Sequence, residues 1–348
     1  MSDIHIRTEG QAGRITLTRP KALNALGYQM ALDVEKALDA WRNDDAVKLI
    51  LLDAEGDRAF CAGGDIQEMY DTAKAGDFEY GRKFWRDEYR MNAKMFEFPK
   101  PVVSLMQGFT MGGGVGIGCH GSHRVVCDSS RIAMPECGIG LIPDVGGTLI
   151  LANAPGRMGE YIGMTGVHLG AADAIYAGFA DYYIAQDTWP DLIKQLCDTG
   201  DVQRIDQSAT QAPEGQLTAI QSEVNRHFAG ETAVDILHSL ETDDSEFAAK
   251  ATKTLRRNSP LAIAATVELV HRARGVKGIR GALTQEYRFT HRAASDGDFI
   301  EGIRAQIIDK DRNPSWKQAS VEDLNPMEVT KMLMPVPGVK VEFEGIEP

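Results

Sequence analysis

From Arg131 to Gly147 the chain reads Arg131-Ile-Ala-Met-Pro-Glu136-Cys-Gly-Ile-Gly-Leu-Ile-Pro-Asp144-Val-Gly-Gly147, which sets two carboxylates eight residues apart among apolar and glycine neighbours. An ionised side chain enters such surroundings at a high solvation cost unless it is paired or takes part in chemistry. Upstream, Gly112-Gly113-Gly114 can expose backbone N–H groups with no side chain in the way. Donors for an oxyanion beside a carboxyl that can act as acid or base are the parts acyl chemistry needs.

Each part also has a plainer reading. Phe60-Cys61-Ala62-Gly63-Gly64-Asp65-Ile66 sits where a strand should turn into a helix, and Gly-Gly there is the ordinary material of a tight turn. Glu136 could be a buried acid satisfied by backbone N–H groups, and Asp144 a cap for a helix starting at Val145. Gly116-x-Gly118-x-x-Gly121 matches the dinucleotide fingerprint, with Glu136 twenty residues after Gly116 where a ribose-binding acid would stand. That match follows a late strand instead of the first and leaves Gly63-Gly64 and Asp144 without roles. His120 and His123 lack acidic or cysteine partners at metal-ligand spacing and read as structural. Ser104 and Ser122 lack the Gly-x-Ser-x-Gly elbow of a serine hydrolase.

These residues must be held by a scaffold. Compact apolar or β-branched runs predict strands at Arg14–Thr18, Val47–Asp53, Pro101–Met106 and His123–Cys127. Met30, Val34, Leu38 and Trp41 make one apolar helical stripe, and a second helix with Trp85 and Tyr89 on one face covers Phe78 to Phe96. Alternating strands and helices with glycine-rich connections define an α/β protein. After Trp189 the chain turns polar and helix-prone. Ser259-Pro260 predicts a capped helix over Leu261–Arg274, and another covers Gly281–Ser295. Pro314–Pro348 carries five prolines and reads as an extended wrap. The expected division is 1–200 for the core with its sites and 201–348 for a helical region with an extended tail.

Composition narrows the classes. The net charge of −13, from 37 basic and 50 acidic residues, disfavours a nucleic-acid groove and docking to anionic membranes. It leaves room for an anionic small ligand at a local basic patch or a helix N-terminus. Five cysteines without a Cys-x-x-Cys pair read as buried, reduced thiols. The N-terminus has no signal-peptide core and runs quickly into a strand pattern, so the expected location is cytoplasmic, or the mitochondrial matrix if a transit peptide has been removed.

In order and spacing, Arg19-Pro-Lys-Ala-Leu-Asn-Ala-Leu26, Phe60–Ile66, Met111–Gly114 and Met134-Pro-Glu136 resemble the crotonase (enoyl-CoA hydratase/isomerase) superfamily. Phe84–Asn92, Gly108–Gly116, Met134–Gly147 and the stretch from Glu286 to Asp311 resemble its 3-hydroxyisobutyryl-CoA hydrolase branch. The resemblance runs from residue 14 to about 316 and implies an α/β spiral of strand–strand–helix repeats with a helical C-terminal region. It implies Gly64 and Gly113 as oxyanion-hole donors and Glu136 and Asp144 as catalytic acids. Glu88 joins them in the acyl pocket, and Ala22, Ala62, Asp65 and Ile66 line the coenzyme A path. Hydratases carry a glutamate three residues after the middle glycine of Gly-Gly-Gly and a second twenty residues later. Here the first position is Gly116 and the second Glu136, so thioester hydrolysis is the expected reaction. Hydration or isomerisation is the alternative within the superfamily, and a non-catalytic coenzyme A binder the alternative outside catalysis. The resemblance implies an acyl-CoA substrate and no metal or redox cofactor, coenzyme A being part of the substrate. A homo-oligomer is compatible with the sequence.

Overall fold

The computed structural model describes residues 3–339 and 341–343. Six strands, β1 (Ile4–Glu9), β2 (Ala12–Leu17), β3 (Leu49–Ala54), β5 (Val102–Met106), β7 (His123–Val126) and β9 (Tyr182–Tyr183), form one sheet in that order. The β1–β2 pair is an antiparallel hairpin, and every later pairing is parallel. Three short strands, β4 (Ala59–Cys61), β6 (Phe109–Met111) and β8 (Arg131–Ala133), form a second parallel sheet. The chain therefore gives one strand to the large sheet and the next to the small sheet, three times over. This is the strand–strand–helix spiral.

The four predicted strands fall at β2, β3, β5 and β7 with ends within two residues of those expected. The near-continuous apolar runs of β3 and β5 have a structural cause, because the large sheet is covered on both faces there. Ile50, Leu52, Val102 and Met106 enter the main core. Their neighbours Leu49, Leu51, Val103 and Leu105 enter a smaller core under Trp189, Leu192 and Leu196. Between β5 and β6 the chain turns at Gly108 (φ 56°), where a β-carbon would stand 2.2 Å from the Arg58 carbonyl oxygen. No other residue type fits that approach.

The helix Tyr28–Arg42 buries the predicted stripe of Met30, Val34, Leu38 and Trp41. The helix Glu79–Phe96 also buries its expected face, but Glu88 and Asn92 lie on it beside Phe84, Trp85 and Tyr89. Its depth is fixed by ion pairs to the neighbouring helix: Arg90 to Glu35 at 2.5 Å and Lys94 to Asp39 at 2.7 Å. The Tyr28 hydroxyl donates to Asp87 at 2.6 Å. The polar stretch after Asp201 forms helices Gln203–Ser208, Leu217–His227, Ala233–Glu241 and Glu246–Arg257.

Ser259 caps the helix Pro260–Ala273 by accepting from the Ala262 N–H, and Gly278–Asp296 follows. The tail differs from the expected extended wrap. It contains a helix, Pro326–Leu333, capped by Asn325 with Glu328 closing the capping box. Pro326 is its first residue, so a proline counted as a breaker is a helix starter. Residues 340 and 344–348 of that expectation lie outside the described residues.

Candidate active site

The loop Arg19–Leu26 is shaped by Asn24, buried at φ 53°. Its amide donates to the carbonyls of Glu55 and Ala59 at 3.0 and 2.9 Å and accepts from the Arg19 N–H at 2.8 Å. Asparagine tolerates this left-handed backbone better than most residues. The loop then zips onto the glycine turn: Leu26 N–H donates to Gly63 O, and Asp65 N–H to Leu26 O, both at 2.9 Å. Between these bonds the Gly64 N–H is left without a partner among the described residues. The Gly113 N–H, first in the helix Gly113–Gly118, is left likewise. A β-carbon on Gly113 would lie 3.2 Å from Gly64 N and 3.0 Å from Glu88 Oε1. The Gly64 nitrogen and a carboxyl oxygen of Glu88 thus crowd the space beside the Gly113 α-carbon, and a side chain there would fill it.

All nine residues singled out from the sequence, Ala22, Ala62, Gly64, Asp65, Ile66, Glu88, Gly113, Glu136 and Asp144, line one cleft of about 530 Å³. Phe84, Trp85, Leu141 and Phe299 supply its apolar wall. The side chain of Asp65 is engaged by Arg19 at 3.0 Å, so it meets a ligand beside a guanidinium instead of as a bare charge.

The three inner acids are almost fully buried, with exposures of 3% for Glu88 and 4% each for Glu136 and Asp144. Glu88 Oε1 and Glu136 Oε2 have no hydrogen-bond partner among the described residues. Burial, and then the nearby Asp144 carboxylate, raises Glu88 well above the usual carboxylate range. Glu136 is raised by burial, by Asp144 and more weakly by Glu286. Asp144 is pushed up by burial to about 7, against the pull of a 2.7 Å hydrogen bond from the Tyr89 hydroxyl. Burial and the charge of Asp144 thus favour the protonated forms of Glu88 and Glu136, while Asp144 itself exchanges its proton near neutral pH.

Asp144 does not cap the helix that follows. That helix runs Gly147–Asn153 from Gly146, and the acid at its start is Glu286, carried in from the helix Gly278–Asp296. Glu286 accepts from the Gly146 N–H at 2.8 Å, the Thr148 N–H at 3.0 Å and the Thr148 hydroxyl. Asp144 is left to the cleft. Tyr89, read from the sequence as part of an apolar face, and Glu286 are the supports that sequence reasoning missed. The available signal was Glu286 and Thr290 at i and i+4 among the buried Ile279, Ala282, Leu283, Tyr287, Phe289 and Ala293.

The fingerprint glycines have packing roles. A β-carbon would meet Asn92 Nδ2 at 2.8 Å from Gly116, Met106 Sδ at 2.8 Å from Gly118, and Val102 O at 2.7 Å from Gly121. None of the three lines the cleft. His120 is buried with Nε2 2.6 Å from Val145 O, and burial lowers it to about 4, which keeps it neutral. The five cysteines are buried and unpaired. Among the described residues no helix is long and apolar enough to cross a membrane.

The spiral and a cleft with two free glycine donors describe a class, and comparison with known proteins gives the same one. The model of the enoyl-CoA hydratase/isomerase family matches residues 12–333, and the chain belongs to that family. Among its relatives, the Gallus gallus protein named 3-hydroxyisobutyryl-CoA hydrolase, mitochondrial, is 34% identical over 346 residues, 96% of this chain and 89% of the relative. The Rattus norvegicus protein of that name is 36% identical over 334 residues, 93% and 86% of the two chains. Among solved structures, one named an enoyl-CoA hydratase from Rhodobacter sphaeroides 2.4.1 superimposes with a TM-score of 0.94 at 53% identity, covering 98% of this chain and 100% of that one. One named a carnitinyl-CoA dehydratase from Mycobacterium thermoresistibile gives 0.95 at 40% identity, covering 99% and 100%.

Proposed function

We propose that the chain is an enzyme that hydrolyses the thioester of a short 3-hydroxyacyl-coenzyme A, 3-hydroxyisobutyryl-CoA first among them, to the free hydroxy acid and coenzyme A. This is a step of valine breakdown. The observation that carries the reading is the pairing of Glu136 with Asp144 in the cleft while the position of the other hydratase acid is Gly116. The relatives named 3-hydroxyisobutyryl-CoA hydrolase support it.

In this reading the thioester carbonyl oxygen accepts from the Gly64 and Gly113 N–H groups. As the carbonyl carbon becomes tetrahedral, each donor stabilises the growing negative charge by roughly 3–4 kcal/mol. Glu136 acts on the carbonyl by one of two routes. It attacks the carbon itself, expelling the coenzyme A thiolate and leaving a mixed anhydride that water opens. Alternatively, it takes a proton from water as the water attacks. Both consume one water and give the acid and the thiol. A single turnover in ¹⁸O-water that leaves label in the Glu136 side chain establishes the anhydride route, because water opening the anhydride at the Glu136 carbonyl puts its oxygen there; the base route, like opening at the acyl carbon, labels the hydroxy acid alone. Asp144 accepts the substrate's β-hydroxyl, and Glu88 completes the polar end of the pocket. The reaction needs water and the acyl-CoA alone, with no metal or redox cofactor.

Hydration of an enoyl-CoA is the second reading, favoured by the names of the two solved structures above. One experiment decides. Free-thiol release from 3-hydroxyisobutyryl-CoA is expected, with little loss of the absorbance of crotonyl-CoA; efficient hydration without thiol release overturns the hydrolase reading. We place the enzyme in a reducing compartment, cytosol or mitochondrial matrix, on the strength of its unpaired thiols and its relatives' mitochondrial naming.

A further inference from the structure

We propose that Tyr89 is the positioning residue for hydroxyl recognition: its phenol holds Asp144 by one oxygen and so presents the other to the β-hydroxyl of the substrate. This rests on the reading in which Asp144 accepts that hydroxyl.

Tyr89 is fully buried in the main core, where a phenylalanine would bury the same ring without a hydroxyl to satisfy. A phenol has one proton, and here it goes to Asp144 Oδ2 at 2.7 Å; Thr290 Oγ1, the next polar neighbour, is 3.4 Å away. The ring is set edge-on to Tyr287 with centroids 6.2 Å apart, so the helices Glu79–Phe96 and Gly278–Asp296 together fix its place. Asp144 lines the cleft and Tyr89 does not. The phenol therefore takes the carboxylate from behind, and Oδ1 is the oxygen left for a ligand.

Apart from the backbone N–H of Asp144 itself, a weaker influence than the phenol, the other groups around Asp144 do not supply such a donor. Glu88 faces it from the helix of Tyr89, Glu136 from the turn Glu136–Ile139, and Glu286 from the helix Gly278–Asp296. The Asp144 carboxylate raises the cost of ionising each of the three. His120 is spent on the Val145 carbonyl. A donor to a carboxylate stabilises its charged form, so losing the phenol proton moves the ionisation of Asp144 to higher pH, and strengthening it moves that ionisation to lower pH.

The test is the ratio of kcat/KM for a 3-hydroxyacyl-CoA to that for the plain acyl-CoA of the same length, followed against pH. Glu136 acts on both substrates and cancels in the ratio, which leaves the group that reads the hydroxyl. In the wild type the preference should rise as Asp144 ionises. In Tyr89→Phe its midpoint should move to higher pH, and at neutral pH the preference should drop tenfold or more. Site-specific replacement of Tyr89 by 3-fluorotyrosine, a more acidic phenol of nearly the same size, should move the midpoint to lower pH. It decides the matter alone if the phenylalanine variant does not fold. A tyrosine needed only for packing would leave the midpoint in place. Unmoved midpoints in a wild-type-like preference overturn this inference and leave the hydrolase reading standing. A wild type that releases no thiol, or shows no preference for the hydroxylated substrate, overturns both.

Discussion

The side-chain amide nitrogen of Asn92 lies 2.8 Å from where a β-carbon on Gly116 would stand, with Val145 Cβ at 3.0 Å on another side. Asn92 is fully buried, one helical turn beyond Glu88. The position where hydratases carry an acid is therefore already filled from the neighbouring helix. Gly116→Glu is expected to yield no crotonyl-CoA hydratase, and to lower stability by about 1–3 kcal/mol through overpacking. Crotonyl-CoA absorbance and thermal unfolding check both halves. A stable variant that hydrates crotonyl-CoA would falsify the steric account.

Glu136→Gln should abolish most thiol release while coenzyme A binding stays nearly intact. The amide keeps the shape of the carboxylate but is neither nucleophilic nor basic. Steady-state turnover and calorimetric titration with coenzyme A measure the two effects. Turnover within a few-fold of wild type would make Glu136 a structural acid.

Asp144→Asn should hurt 3-hydroxyacyl substrates far more than plain acyl thioesters. A hydrogen bond to a charged acceptor is worth roughly 1.5–3 kcal/mol, or about ten- to a hundred-fold in the rate ratio. Because Glu286, and not Asp144, holds the start of the helix Gly147–Asn153, the melting temperature should barely fall. An unchanged preference would remove Asp144 from hydroxyl recognition.

Glu286→Ala should do the reverse of Asp144→Asn. It strands the N–H groups of Gly146 and Thr148 in the core, at a cost of about 1–3 kcal/mol for each unsatisfied group. Urea unfolding should show that loss. The surviving folded protein should be impaired on both substrate classes alike, since the whole segment carrying Asp144 loosens. Unaltered stability would contradict the capping role.

Glu160 provides a pH signature of stability away from the cleft. Burial pushes this fully buried carboxyl up, but hydrogen bonds from His271, Arg274 and Arg157, at 3.1, 2.8 and 2.9 Å, outweigh that and hold it at about 2. A carboxyl whose folded-state value is depressed stabilises the fold above its unfolded value of 4.5 and loses that contribution as pH falls towards 2. Glu160→Gln should therefore be less stable than wild type by about 3 kcal/mol at pH 7, and by about half that near pH 3. Paired urea titrations at the two pH values are the measurement; a gap that does not narrow on acidification would show that the ion cluster is not its source.

What the sequence determined by itself was local or carried by motif. Apolar or β-branched runs placed β2, β3, β5 and β7, most plainly β3 and β5, because a strand covered on both faces is built almost wholly of such residues. Ser259-Pro260 placed a helix start because its capping bond is made within three residues. The ordered motifs around Gly64, Gly113, Glu136 and Asp144 marked the cleft because each needs its own short backbone geometry. The tail helix was legible too, in Asn325-Pro326-Met327-Glu328, had its proline been weighed as a start. Which acid does what was decided only by tertiary structure. Asp144 and Glu286 could equally have capped the helix at Gly147, and the choice fell to Glu286, which lies 140 residues from Gly146 in sequence. Tyr89 looked apolar until its hydroxyl met Asp144 from 55 residues away, and Gly116 was marked by its motif as the place of an absent acid, without the side chain of Asn92 that packs over it. Spacing and propensity report what a residue does to its own backbone. They carry no record of which distant side chain fills the space beside it, and in this cleft that is what sets each carboxyl's charge and use.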